Sequence, residues 1–495
     1  MIYTGAMQCI APSFFSPLNK VNYRNSQEYF IRLHGLKLLS NVDLRFLMKY
    51  NISVILLFLT ASLPLRAQLQ IKPPPAQGFE RRIRKYIDTL SIIDTHEHLV
   101  GPEMLNGGFF LDFSLLLLQN GYDDLISAGM PDTLYDVLFN EELQPSAKWE
   151  IVEPWWQNSF NTSFNRIILY GIRRLYGIDD LNASTVGPLS EKIRKAYETN
   201  WFDRILLDSC RIKYLIKDGN HMPGRDVYVK YVKRFDDWLL LSSKFGIDSL
   251  AIRQLDPIYT LDDLEKSLTL AFEKELKKGM IAVKVFTSYY RTLSFDKVDK
   301  ESAKKVFRSL VNGDMDFRME MKDAKPLQDY LFHHLMGLAL KYDMPVAIHT
   351  GLQAGKGKII DNSNPVHLTN LFVLYPGIDF VLYHGSFPYG GELSALAKNY
   401  PNVYIDMNWA WAVSPTYSRH HLNLWLEMVP VNRLIAFGGD AMAVENVYSE
   451  LILARNIISD VLSEKVGEGY YSEAEAKKIA RMIFHDNAAR LYKLE

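Results

Sequence analysis

The sequence predicts an α/β fold, a (β/α)8 TIM barrel with a helical insertion after strand 1. Three observations carry that reading. Short apolar runs recur along the chain, and each closes on a polar or ionisable residue. Helical stretches lie between the runs. The closing residues are also spaced as strand–helix units require: His384 follows His349 by 35 residues, Asp440 follows Asp406 by 34, and Asp406 follows His384 by 22. Uninterrupted apolar runs suit strands buried on both faces, and their alternation with helices indicates a parallel sheet.

Taken in order, Ser91-Ile92-Ile93-Asp94 is the first run. The stretch from about 100 to 210 breaks the rhythm. It is long, helix-prone and aromatic, with Trp155, Trp156, Tyr170, Tyr176 and Trp201. It reads as an insertion at the barrel mouth, with a separate helical domain as the alternative. Arg211–Ile216 and Leu250–Gln254 are weaker strand candidates. Ile281–Lys284, Pro345–His349, Asp379–His384, Val403–Asp406 and Leu434–Phe437 follow, interleaved with the helical stretches Leu327–Lys341, Gly391–Asn399 and Ser472–Leu491. Together these supply the eight strands that a closed barrel needs.

Composition bounds the function. Lys+Arg is 56 and Asp+Glu is 57, so no basic excess points to nucleic acid. Hydrophobic residues are 48% of the chain, enough for a packed core. The two cysteines, Cys9 and Cys210, provide neither a disulfide scaffold nor a cysteine zinc cluster.

Residues 51–64, NISVILLFLTASLP, are uncharged and mostly apolar, with Lys49 just before them. A basic start, a short apolar run and a small residue at the cut describe a signal peptide over 48–67. The run is shorter than the roughly 20 residues of a membrane span. Met48 sits where such a peptide starts, so residues 1–47 read as an over-extended start. An uncleaved anchor or a buried helix is the alternative. The expectation is a periplasmic or secreted protein, with no stable membrane span after cleavage. Lys72-Pro73-Pro74-Pro75 reads as a linker, and residues 68–495 as the barrel. Loss of the leader would leave Cys210 unpaired, so the core must carry stability.

Chemistry gathers at the ends of the runs. His96 and His98 flank Glu97, and in an extended chain residues i and i+2 point to one side. His349, His384 and Asp440 also close apolar runs. In a parallel barrel all these ends share one rim. Imidazoles with a carboxylate suit Zn, Mn, Fe or Ni rather than a Ca or Mg cage. Lys284 is a sixth rim residue. It carries a carbamate that bridges two metals, stays cationic and binds substrate, or neutralises a nearby Asp or Glu. Trp409, three residues after Asp406, is a pocket candidate. Trp155 and Trp156 suit the insertion core. His333-His334, His367 and His420-His421 read as packing or surface residues.

These residues carry a resemblance. The chain resembles the amidohydrolase superfamily, and within it the amidohydrolase-like domain fused to glutamine-synthetase-like proteins of fungi and plants. The matching stretches are Asp94-Thr95-His96-Glu97-His98, Lys284 with Tyr290-Arg291, His349-Thr350-Gly351, Asn364-Pro365-Val366-His367-Leu368, Tyr383-His384-Gly385-Ser386-Phe387-Pro388, Tyr400–Asp406, Asp440 and Asn487–Tyr492. They cover residues 90–99 and 280–495.

The resemblance implies that His96, His98 and His349 are metal ligands. Asp440 would bind the metal and shuttle the proton. His384 would be a second-metal ligand or a catalytic group. One or two divalent ions are implied, zinc first. Gly438-Gly439 departs from the family's Ser/Thr-rich lead-in. Arg291 would clamp a substrate carboxylate or form a rim salt bridge. The implied activity is hydrolysis of an amide or ester-like bond in a small, carboxylated substrate. The alternatives are a non-hydrolytic lyase or decarboxylase, a uronate-type isomerase, and a catalytically inactive binding protein. A homo-oligomer is compatible with all of them.

Overall fold

A computed structural model describes residues 78–102 and 111–495. The leader expected at 48–67, the over-extended start at 1–47 and the linker at 72–75 lie outside the described residues. Eight parallel strands form the sheet in sequential order. They are β1 (Ile92–Glu97), β2 (Ile212–Asp218), β3 (Val229–Arg234), β4 (Met280–Val285), β5 (Val346–Ile348), β6 (Phe380–Leu382), β7 (Val403–Asp406) and β8 (Leu434–Ile435). The sheet closes where the chain beyond β8 meets β1. Thr95 N–H donates to the Phe437 carbonyl at 3.0 Å, Asp440 N–H to the His96 carbonyl at 2.9 Å, and His98 N–H to the Ala441 carbonyl at 3.0 Å. This is the expected barrel.

Every strand contributes to one buried cluster, with Ile93, Ile216, Val232, Ala282, Ala347, Val381, Tyr404 and Ile435 packed together. Ala488, Ala489, Leu491 and Tyr492 complete it. Asn487 fixes that terminal turn, because its side-chain amide donates to the carbonyls of Val431 at 2.7 Å and Leu434 at 2.8 Å. The C-terminal motif therefore plugs the N-terminal end of the barrel.

One strand differs from expectation. Leu250–Gln254 is helical and ends α6 (Lys244–Gln254), which Ser243 caps by accepting from Gly246 N–H. Its apolar residues face two ways, since Leu250 is fully buried while Ile252 is 73% exposed. The third strand is Val229-Lys230-Tyr231-Val232-Lys233-Arg234. Three of its six residues are cationic, which hid it from a search for apolar runs.

The insertion between β1 and β2 is helical, as expected. It comprises α2 (Asn120–Ser127), α3 (Pro145–Ser159), α4 (Ser163–Tyr176) and α5 (Val186–Tyr197). Its core includes Trp149 and Trp156, edge to face at 6.0 Å. Trp155 is half-buried. A buried Lys148–Asp112 ion pair at 2.7 Å braces it.

Glu445 docks this insertion onto α12 (Val444–Gly467), the helix after β8. Its buried carboxylate accepts from Tyr176 Oη at 2.6 Å, Trp201 Nε1 at 3.0 Å and Tyr197 Oη at 3.1 Å. Glu445→Ala would leave two buried donors and one half-buried donor unpaired and is expected to cost about 3 kcal/mol. Urea unfolding checks this, and a loss below about 1 kcal/mol would refute the docking role. Among the described residues, no helix is long and apolar enough to cross a membrane.

Candidate metal centre

β1 and the turn after β8 build the centre. His96 Nε2 and His98 Nε2 each lie 3.1 Å from the same oxygen, Asp440 Oδ1. These three ligand atoms lie within 4.8 Å of one another, the candidate metal-holding group among the described residues. His96 and Asp440 are 1% and 4% exposed. Burial pushes the His96 imidazole down to about 4, so it is neutral and able to ligate near pH 7. Asp440 Oδ1 and His96 Nδ1 are buried without a hydrogen-bond partner. Two imidazole nitrogens and a carboxylate oxygen that converge without hydrogen bonding one another fit a shared divalent ion.

The departure at Gly438-Gly439 has a steric reason. A Cβ on Gly438 would stand 2.7 Å from Asn408 Cβ and 2.8 Å from His96 N. One on Gly439 would stand 2.5 Å from Glu97 Oε1. Glu97 itself accepts from Gly439 N–H and Ala441 N–H, both at 2.8 Å. Burial raises the pKa of Asp94 to about 8 and that of Glu97 as well.

β5 and β6 supply the remaining histidines. His349 Nε2 lies 2.9 Å from the Leu352 carbonyl, which can only accept, so this nitrogen carries the hydrogen. His349 Nδ1 then accepts from His384 Nε2 at 2.8 Å. Both His349 nitrogens are engaged, so it stands as the partner of His384 and outside the trio of His96, His98 and Asp440. His384 Nδ1 is buried without a partner. The motifs around the pair interlock. Thr350 Oγ1 donates to the Tyr383 carbonyl at 2.8 Å, and a Cβ on Gly351 would stand 2.4 Å from the Phe387 carbonyl oxygen. Trp409 lies edge-on to His384 at 5.2 Å and is 4% exposed, which places it at the centre.

Lys284 is 1% exposed, and its Nζ has no hydrogen-bond partner. It sits 3.8 Å above the Tyr383 ring, and the same ring lies 4.8 Å from His96. Arg291 is turned away from any substrate role. Its guanidinium donates to Gln328 Oε1 at 3.0 Å, the Ser294 carbonyl at 2.8 Å, the Thr292 carbonyl at 3.3 Å and the Asp329 carboxylate. The expected substrate clamp is thus a buried ion pair that ties the β4 loop to α9 (Met321–Lys341). Arg291→Ala is expected to destabilise the fold by about 3 kcal/mol, the cost of breaking a buried pair. Thermal unfolding alongside KM separates this from substrate binding. A raised KM at unchanged stability would restore the clamp.

Two rim residues escaped the sequence reading. Asp218 ends β2, with its Oδ2 3.9 Å from His98 Nε2. Arg234 ends β3 and donates through Nε to Asp218 Oδ1 at 2.8 Å. Leu215-Ile216-Lys217-Asp218 closes on a carboxylate, and a strand ending two residues later would have found it. Tyr289, after β4, was also missed; its ring lies 4.7 Å from His349. The other histidines hold packing positions. His333 pairs with Tyr375 at 2.8 Å and His334 with Thr269 at 2.9 Å. His421 lies against Tyr417, and His367 is 3.5 Å from Asp361.

The amidohydrolase family model matches residues 310–494. Protein fluG of Emericella nidulans is 34% identical over 181 residues, which are 35% of this chain and 20% of that protein. The chain's match thus spans about a fifth of the fungal protein's length. Among solved structures, uronate isomerase from Thermotoga maritima superposes with a TM-score of 0.67 at 16% identity, covering 84% of this chain and 98% of that one. Glucuronate isomerase from Caulobacter crescentus gives 0.67 at 18% identity, covering 86% and 95%. These two likenesses show the fold. Over residues 310–494 the sequence is similar to the amidohydrolase family, and over the barrel the likeness is one of fold.

Proposed function

We propose that this chain is a metal-dependent hydrolase that cleaves an amide or ester-like bond in a small, carboxylated molecule. One observation carries the reading: a buried and a half-buried imidazole nitrogen approach a single buried carboxylate oxygen at 3.1 Å without a hydrogen bond between them. Zinc suits two imidazoles and a carboxylate. A divalent ion held by His96, His98 and Asp440 supplies a Lewis acid and brings the pKa of a bound water toward neutrality. Asp440 has a second oxygen with which to take a proton and return it to a leaving group. His349 fixes the ring of His384, whose unpartnered Nδ1 is then placed to accept a proton from the substrate. Lys284 offers an unpaired amine to substrate charge. Export is part of the proposal and rests on residues 48–67 alone; a mature N-terminus far from Gln68 would remove it.

A second reading is a proton-transferring isomerase or lyase. The hydrogen-bonded His349–His384 pair favours it, as does the fold likeness to uronate isomerases. Solvent oxygen separates the two. Protein loaded with zinc or manganese would be offered N-acyl amino acids, lactones and uronates in H2(18)O. Label in the product supports hydrolysis, and an unlabelled isomer or released CO2 supports the second reading. No turnover with either metal would count against both.

A further inference from the structure

We infer that Glu97 is the positioning residue that sets Asp440 as a metal ligand, so that the residue between the two histidines builds the third arm of the same site. The inference rests on the metal reading above. Glu97 is fully buried. Its two oxygens accept from the N–H groups on either side of Asp440, those of Gly439 and Ala441, both at 2.8 Å. Asp440 N–H is held by the His96 carbonyl at 2.9 Å. Three consecutive backbone donors are therefore pinned by two adjacent residues of β1.

The pinning matters because Asp440 has φ +55°. A non-glycine residue there costs about 1–3 kcal/mol and persists only where its surroundings over-determine it. The close fit of Gly439 against Glu97 Oε1 shows that the turn is moulded around the carboxylate. Without both N–H bonds the turn has a cheaper conformation available, and the Asp440 oxygen leaves the point where His96 and His98 converge.

The test is Co2+ titration of the metal-free full chain, followed by visible absorption, on Glu97→Gln, Asp440→Ala and the double variant. Glutamine keeps the volume but turns an amide N–H2 toward one backbone N–H. Residues that orient ligands typically carry 10–100-fold in metal affinity. The Kd for Co2+ is expected to rise by that factor in Glu97→Gln. In the double variant it is expected to equal that of Asp440→Ala alone, because Glu97 acts only through Asp440. A folded Glu97→Gln that binds Co2+ like the unaltered protein overturns the inference, as does additivity in the double variant. Both outcomes leave the metal site itself standing. Failure of the unaltered protein to take up Co2+ would overturn both. If Glu97→Gln does not fold, Gly439→Ala presses on the same contact with the carboxylate in place. It is expected to weaken Co2+ binding similarly, and unchanged affinity there refutes the inference.

Discussion

Asp440→Asn is expected to lower turnover by about a thousandfold while the protein keeps most of its metal. Asparagine preserves the shape of the side chain and offers an amide oxygen where Asp440 Oδ1 now faces His96 and His98 at 3.1 Å. It also tolerates the left-handed backbone that Asp440 adopts at φ +55°. Ligation and local fold should therefore survive. What asparagine cannot do is take up a proton and return it. General acid–base groups contribute about 10²–10⁴ in rate, so a loss near the middle of that range isolates the proton-transfer role. The measurement pairs metal content by mass spectrometry with kcat on whichever amide, ester or uronate the labelled-water assay identifies. Undiminished turnover would end the assigned role. Loss of metal together with activity would make Asp440 a ligand first, with no separate evidence for proton transfer.

The sequence made the rim legible because its chemistry sits at strand ends. His96, His98, His349, His384, Asp440 and Lys284 each follow an apolar run, and a parallel barrel puts all such ends on one side. How those residues divide was not legible. The engagement of His349 Nε2 depends on the Leu352 carbonyl three residues on, a contact that no spacing rule contains. Arg291 reads as a rim cation, but it is spent on Gln328 and Asp329, some 37 residues downstream on a helix. The Gly438-Gly439 departure is explained by close approach of residues about 340 positions away on β1. The third strand was missed because lysines at 230 and 233 interrupt it, and Arg234 was missed with it. Asp218 was lost at a strand boundary. These are tertiary facts, and the residues they reassign are the ones whose partners lie furthest off in sequence.

Lys284→Met is expected to make the metal-free protein more stable and the enzyme inactive. Lys284 is 1% exposed and its ammonium has no hydrogen-bond acceptor, only the face of Tyr383 at 3.8 Å. Burial lowers its pKa from 10.5 to about 8, and the attraction of nearby Asp218 recovers only part of that cost. At 1.36 kcal/mol per unit the charged amine costs about 3 kcal/mol at pH 7, which methionine of similar length would release. The sign with pH follows. The folded pKa lies below the unfolded one, so between about 8 and 10.5 the unfolded chain holds more protons. Stability of the unaltered protein therefore rises with pH across that window. The advantage of the methionine variant should be full below pH 8 and should fade by about 10.5. Urea unfolding at pH 7 and pH 10 measures this directly. A variant less stable at pH 7 would mean that Lys284 is held by its acidic neighbours as a structural cation. A variant more stable and still fully active would mean that it serves neither substrate nor metal. Retaining an unpaired buried amine against such a penalty makes sense where the amine meets a group that arrives only with the substrate or the ion, the usual exchange of stability for function at an active site.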